Sequence, residues 1–136
     1  MDSTLTAIVH ETLTDLGVPL RRVAPGEWGL AVDCAGWPLH VGVALRGGLL
    51  RAQAEVVGPG RVDPSALLHR NRLGSLVRFA HTGEGAVWIH GDLPAVAVQE
   101  AEIDRLLGLL VEEAAWARYA AGPAPGSADG GASSPA

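Results

Sequence analysis

The sequence contains no lysine and a single cysteine, and it has only one residue each of phenylalanine, tyrosine and methionine. A phosphate-binding loop of the Walker type requires a lysine, so this kind of nucleotide site is excluded. Because Cys34 is alone, no intrachain disulfide can form, which favours a reducing compartment such as the cytoplasm. No apolar run is long enough to cross a bilayer, and residues 1–16 carry no basic residue, so we expect neither a membrane segment nor a signal peptide.

Charge and length narrow the class of protein further. All ten basic residues are arginine, and 15 acidic residues outnumber them, which leaves a net charge of −5. A chain of this sign is poorly suited to binding nucleic acid phosphates. A length of 136 residues is that of one domain with a hydrophobic core of its own. We therefore expect a cytoplasmic protein that binds neither nucleic acid nor a membrane.

Hydrophobic periodicity predicts one helix and then three strands in the N-terminal half. A helical apolar stripe covers residues 3–16 and stops at Gly17, and residues 21–26 are expected to be a connector. Beyond the connector the apolar residues alternate with a period of two, interrupted by turn signals at Ala35-Gly36 and Gly47-Gly48. Such a pattern is typical of an antiparallel meander, with strands around residues 28–33, 39–45 and 50–56.

A second helix and a hairpin are predicted next along the chain. Asp63 is a suitable N-cap and Pro64 suits the first helical position, so a short helix is expected to run to about Asn71. Residues 76–81 and 86–90 are expected to be strands, because they are apolar and flank a glycine-containing turn.

A long helix is predicted over residues 99–120, with acidic residues in its first turns. Residues 122–136 consist of glycine, proline, alanine and serine with one aspartate, and we expect them to be a disordered tail. The prediction is a single α+β domain over residues 1–121, in the order α-β-β-β-α-β-β-α. Its five-stranded antiparallel sheet would pack against the helices.

Residues that could carry chemistry are scattered. Glu112 and Glu113 are adjacent in a helix and so diverge, and Asp33 beside Cys34 would raise the pKa of the thiol rather than activate it. The five histidines show no spacing typical of metal ligands, namely His10, His40, His69, His81 and His90. We therefore predict no catalytic residue, no metal site, no cofactor and no enzyme activity.

Candidate partner-binding residues are aromatic, apolar or basic. The tryptophans are either core residues or exposed anchors for a partner, since aromatic side chains dominate interface hot spots. The strand around residues 41–44 looks apolar on both faces, with small residues that would let a partner approach. The arginines near the second helix form either a solvated basic spot or a docking patch for carboxylates. The candidates are Trp37, Val41, Val43, Arg70, Arg72, Arg78 and Trp116.

Three segments carry a family resemblance: Leu67-Leu68-His69-Arg70-Asn71, then residues 76–80, then residues 86–90. With the predicted element order, they resemble the YbjN-like family and the wider fold of class I type III secretion chaperones, over about residues 4–121. The resemblance implies a non-catalytic domain that dimerises and holds an extended segment of a client protein. Leu67, Leu68 and Leu73 would then lie near the subunit contact.

Two other functions stay open. A small-molecule-binding regulatory domain would need a pocket between the sheet and the first and third helices. An enzyme with an unrecognised site would need polar residues to converge, which the scattered positions of the histidines and carboxylates do not favour. The preferred interpretation is a homodimeric chaperone or adaptor that binds a client protein, or a peptide-modifying enzyme, by strand addition or by a helix in a groove.

Overall fold

The protein folds into an antiparallel sheet and three α-helices, as seen in a computed structural model that describes residues 3–123. The strands follow one another in space in the order β1-β2-β3-β4-β6-β5. The elements are α1 (Ser3–Asp15), β1 (Leu20–Ala24), β2 (Glu27–Cys34), β3 (Trp37–Arg46), β4 (Leu49–Val57), α2 (Pro64–Leu73), β5 (Val77–His81), β6 (Val87–Pro94), a 3-10 turn (Ala95–Ala97) and α3 (Glu100–Ala121). The predicted α+β class is confirmed. The predicted tail lies outside the described residues except for its first two positions.

Within residues 3–123 the sheet has six strands rather than the five predicted, because β1 forms within what was expected to be a connector. Leu20 and Ala24 are half-buried while the three residues between them are exposed, so no apolar alternation marks this strand in the sequence. β1 exists through its backbone pairing with β2, in which Arg21 lies opposite Gly29. An edge strand of this kind is stabilised by a ladder of hydrogen bonds that only the tertiary structure supplies.

Two tight turns set the register of the central hairpins. At Ala35-Gly36 the φ angles are 53° and 94°, and at Gly47-Gly48 they are 60° and 78°. Positive φ at both central residues defines a type I′ turn, whose twist matches that of the flanking strands. The predicted hairpin at Gly47-Gly48 is confirmed, and it places Arg46 opposite Leu49.

One face of the sheet, which we call the helix face, is covered by α1 and α3, and the opposite face is the open face. Alternate residues of β3 and β4 point to the helix face and pack against the apolar stripe of α3. The buried side chains are Leu39, Val41, Val43 and Leu45 from β3, Leu50, Ala52, Ala54 and Val56 from β4, and Ile103, Leu106, Leu110, Ala114 and Ala117 from α3. No helix of residues 3–123 has the length and apolar character needed to span a membrane.

Gly91 lets α3 lie close to the sheet. A Cβ atom at this position would be 2.6 Å from Leu106 Cδ1 and 2.8 Å from Val77 Cγ1, both shorter than any ordinary contact. A glycine in a central strand therefore reflects close packing against a neighbouring element rather than a turn.

A buried arginine ties α3 to the turn between β2 and β3. The guanidinium of Arg118 donates hydrogen bonds to the carbonyl oxygens of Val56, Cys34, Trp37 and Pro38, at 2.9–3.2 Å. It also stacks on the Trp37 ring, 3.4 Å from the centroid. Burial lowers the pKa of Arg118, but backbone carbonyls supply the acceptors that a buried cation needs.

Candidate functional site

The open face of the sheet is the candidate functional site, because among the described elements no helix packs against it. β3 places Pro38, His40 and Gly42 there, and their exposure contrasts with the buried residues between them. β4 and β6 add polar side chains at the same level, including Arg51, Gln53, Glu55, His90 and Asp92. The alternation of side chains therefore produces one apolar face and one mixed face from alternate residues of the same strands.

Small residues form the floor of this face near β1. Gly29 of β2 lies directly opposite Gly42 of β3. A Cβ atom at Gly42 would meet only a backbone oxygen, at 4.0 Å, so the space above it is open. Two troughs of about 550 and 310 Å3 meet over Gly42, and Val23 lines both. A partner chain could thus approach the backbone of the sheet closely.

The larger trough is walled by charged residues. Arg51 Nε lies 3.0 Å from Asp92 Oδ1, and Arg78 Nη2 lies 3.5 Å from Asp92 Oδ2. Glu27 and Arg46 form a second ion pair across β2 and β3. Two guanidinium groups share the one Asp92 carboxylate, which leaves this wall with a surplus of positive charge.

His90 stands within the charged wall and is half-buried. Burial lowers the pKa of its imidazole, and Arg78 and Arg51 act in the same direction, while Asp92 opposes them. The neutral form is therefore favoured in the folded protein. Its ring lies 6.2 Å from that of Trp88, with the two planes inclined by 28°.

Aromatic residues line a trough at the opposite end of the sheet, where residues of both faces meet. Trp37, Trp88 and His40 surround a third trough of about 440 Å3, with Glu55 at its side. Trp37 is half-buried, with Arg118 stacked against one side of its ring. This end offers apolar rings with polar atoms at their rims, which is the composition typical of protein interfaces.

The outer edge of β1 is open to an added strand. Ala31 N–H donates to Pro19 O at 3.2 Å, which makes these two residues a hydrogen-bonded pair. By the alternation of an antiparallel ladder, Leu20 and Arg22 then direct their N–H and C=O groups away from β2. Within residues 3–123, none of these two N–H and two C=O groups has a hydrogen-bond partner.

The other edge of the sheet, at β5, is closed by a side chain of α2. Asn71 Oδ1 accepts from Phe79 N–H at 2.7 Å, and Asn71 Nδ2 donates to Phe79 O at 3.0 Å. Both hydrogen-bonding groups of the central β5 residue are thereby occupied. The two edges of the sheet consequently differ in their ability to accept another strand.

Comparison with known proteins gives the fold. No family model matches the sequence and no curated protein matches it. Solved structures do: a chain of the ExsC–ExsE complex aligns with a TM-score of 0.67 at 21% identity, over 87% of this chain and 96% of that one. The fold is that of the type III secretion chaperones. The YbjN-like resemblance stays a prediction.

Two further structures support this assignment of the chaperone fold. The HopA1–SchA chaperone–effector complex aligns with a TM-score of 0.66 at 13% identity, covering 90% of this chain and 99% of the other. The ExoU–SpcU complex from the type III secretion system of Pseudomonas aeruginosa aligns with a TM-score of 0.59 at 15% identity, with coverages of 84% and 98%. Identities this low establish the fold alone.

The chaperone fold disperses the residues that the sequence suggested for partner binding. Val41 and Val43 are 2% and 3% exposed on the helix face, so a partner seated on the open face does not reach their side chains. Trp116 packs against the Phe79 ring at 5.9 Å between centroids, within the helix layer. Of the apolar candidates, Trp37 is the one that borders a trough, at the end of the sheet where residues of both faces meet.

The three candidate arginines do not form a single patch. Arg70 binds Glu113 through two hydrogen bonds of 2.8 and 3.0 Å, which together raise the pKa of the guanidinium. Arg78 lies on the open face beside Asp92, and Arg72 is exposed at the end of α2. α2 and β5 hold these residues on different sides of the sheet, which spacing along the sequence does not reveal.

The leucines expected at a subunit contact also separate. Leu68 and Leu73 are 70% and 66% exposed on α2, whereas Leu67 is 3% exposed beneath the helix. Leu67 and Leu68 line a small apolar cavity of about 100 Å3 together with Phe79. Leu67 therefore packs in the core beneath α2 and does not reach a partner. Leu68 and Leu73 remain available for a subunit contact.

The described residues contain no cluster of three or more histidine, cysteine, aspartate or glutamate side chains arranged to hold a metal ion. Cys34 is buried, and burial raises the pKa of its thiol although Arg118 acts in the opposite direction. A thiol held neutral in this way is a poor nucleophile.

The residues that sequence analysis missed have structural roles or form the edges of the sheet. They are above all Arg118, Asn71 and the residues of β1.

Proposed function

We propose that the chain is a non-catalytic chaperone or adaptor that binds an extended segment of a client protein in the cytoplasm. The observation that carries this proposal is the uncovered sheet face, with open space over Gly42 and an unpaired strand edge at β1. A structure of the same fold that is described as a chaperone–effector complex, that of HopA1–SchA, supports it.

One part of the client segment pairs with the outer edge of β1, and the chain that continues from it crosses the open face to lie in the trough over Gly42. The two contacts are three strand spacings apart, or about 14 Å, so they are made by different residues of the segment. Backbone hydrogen bonds to Leu20 and Arg22 fix the register of the added strand, and the trough selects the side chains that follow it. The ladder is short, because a bulge interrupts β1 after Arg22. Most of the affinity must therefore come from contacts on the open face.

A second copy of the chain is disfavoured at this edge. An antiparallel pair of β1 strands that joins Leu20 to Arg22 of the partner copy would place Arg21 directly opposite Arg21. Like charges in opposing positions destabilise a ladder, so β1 is left to a strand of different sequence. Arg21 and Arg22 also favour acidic residues in the client.

Filling the trough tests the client site. The tagged protein is used to capture its client from the lysate of its native cells, the client segment is mapped by limited proteolysis, and its Kd is measured by calorimetry. We expect Gly42→Phe to weaken binding at least about tenfold, or about 1.4 kcal/mol, because the ring occupies the trough. Gly42→Ala is the matched control and keeps the affinity of the natural chain. Equal binding by both variants would place the client elsewhere.

We further propose that the protein is a homodimer joined through the exposed face of α2. Leu68 and Leu73 present large apolar side chains there, and the cavity beside Leu68 can receive a side chain of the partner copy. Light scattering should give twice the chain mass for the natural protein and the single-chain mass for Leu68→Glu. Val96→Glu, at a residue that is 98% exposed and distant from α2 in sequence, should leave the dimer intact. A natural protein of single-chain mass would contradict the dimer.

A small-molecule-binding regulatory domain is the second candidate. The observation that favours it is the trough of about 550 Å3 with Arg46, Arg51, His90 and Asp92 around it, on the open face rather than between the sheet and the helices. A ligand of this site would raise the Tm of the natural protein but not that of Gly42→Phe. Stabilisation of both proteins alike would reject this trough as the ligand site.

A further inference from the structure

Asn71 takes the place of a neighbouring strand at the β5 edge. Its side-chain amide offers one acceptor and one donor, and these meet the N–H and C=O groups of Phe79 at 2.7 and 3.0 Å. An adjacent antiparallel strand would present the same pair of groups to Phe79. Val77 N–H is occupied as well, since it donates to Ser75 O at 2.8 Å.

The backbone of α2 is held in place independently of this amide. Leu67 is buried beneath the helix, and Arg70 binds Glu113 while stacking on Trp116 at 4.8 Å. Asp63 caps the first turn by accepting from Ser65 N–H at 3.0 Å. Loss of the Asn71 amide would therefore expose the Phe79 groups while the rest of the helix stays in position.

We propose that Asn71 is a specificity-determining residue that closes β5 to strand addition and so reserves this function for β1. The inference rests on the proposed binding of a client strand. It assigns to one side chain the closing of the central residue of β5, and with it the choice between the two edges of the sheet. An unpaired edge strand is a template for another chain, and covering it is how natural sheets avoid wrong pairing.

Removal of the amide has a specific expected consequence. Two β5 strands from different molecules can pair in antiparallel fashion about Phe79, which places Arg78 opposite Ala80 of the other molecule. No like charges oppose each other in this arrangement, in contrast to the arginines of β1. Without the Asn71 amide, the β5 strands of two molecules are therefore expected to pair with each other when no client is present.

The test uses the pure full-length protein without a client. Asn71→Leu keeps a side chain of similar size and removes both hydrogen bonds, and Arg105→Ala, at an exposed residue of α3, is the control outside the α2 contact. Light scattering over a hundredfold range of concentration should show the mass of Asn71→Leu rising at least twofold above that of the natural protein. Arg105→Ala should match the natural protein. At the lowest concentration, the amide of Phe79 should exchange with solvent at least tenfold faster in Asn71→Leu.

A second substitution identifies the edge responsible. The backbone N–H and C=O groups of His81 point away from β6, as those of Phe79 do, because the two residues are two positions apart in β5. Proline at position 81 therefore removes an N–H that an added strand needs. Asn71→Leu combined with His81→Pro should return to the mass of the natural protein. If Asn71→Leu does not fold, Asn71→Ala is measured in its place with the same expected gain in mass.

A purely structural role for Asn71 predicts a lower Tm with no change of mass, and that result would overturn the proposal. Self-association that survives His81→Pro would also overturn it, because the contact would then lie away from β5. Neither result depends on a client. Failure of the client-binding experiment with Gly42→Phe therefore leaves this test intact, and the reverse holds too.

Discussion

The two faces of the sheet are built from alternate residues of the same strands, yet they obey different packing rules. On the helix face a glycine, Gly91, is required because α3 approaches to van der Waals contact. On the open face Gly42 has free space above it. The comparison teaches that the same residue type serves core packing on one side and access for a partner on the other.

The largest difference between the faces is expected at two neighbouring residues of β4. Leu50 is fully buried on the helix face, and Leu50→Ala should lower the free energy of unfolding by about 2–5 kcal/mol through lost burial and a cavity. Arg51 points to the open face, and Arg51→Ala removes one exposed ion pair to Asp92, worth at most about 1 kcal/mol. Urea denaturation of both variants measures this contrast, and equal losses would mean that the faces are not packed differently.

Substitution of the two glycines sharpens the comparison. Gly91→Ala should destabilise the protein by about 1–3 kcal/mol, because the new methyl group collides with Leu106 and Val77. Gly42→Ala should be neutral or stabilising by up to about 1 kcal/mol, since alanine suits a strand interior better than glycine does. Thermal and urea unfolding report both values. A loss at Gly42 as large as that at Gly91 would show that the open face is covered.

The smallest expected effect concerns the pH dependence of stability on the open face. The pKa of His90 is lowered in the folded state, so the unfolded chain binds a proton more readily as the pH falls through the ordinary value of 6.5. The part of the free energy of unfolding that depends on neutral His90 is therefore present above this pH and is lost as the solution becomes acidic. Between about pH 7.5 and about pH 5.5, His90→Gln should lose less free energy of unfolding than the natural protein does. An identical loss in both would contradict the role given to His90.

Much of the fold could be predicted from local patterns. The apolar alternation of β2 to β4, the Gly47-Gly48 turn and the Asp63-Pro64 helix start are signals within a few residues, and the structure confirms them. The candidate site was harder to predict. Val41 and Val43 alternate with Gly42 and Ala44, and periodicity shows that two faces exist without showing which one the helices cover.

Contacts between distant residues account for what sequence analysis missed. Arg118 reaches the carbonyl oxygen of Cys34, 84 positions away, and no local pattern marks a surface-type residue for burial. Arg70 looked like part of a basic patch until Glu113, 43 positions away, was seen to bind it. Position along the sequence does not distinguish an exposed arginine from a buried one, because residues of other elements form the surroundings of each arginine.

The sequence by itself determined the kinds of element, their order and the turns that join the central strands, because these depend on backbone preferences and on side-chain spacing along one segment. Only the tertiary structure decided that residues 20–24 become an edge strand, which face stays open, and that Asn71 closes β5. Each of these features consists of hydrogen bonds or packing between segments, and a segment's own residues do not specify its partner.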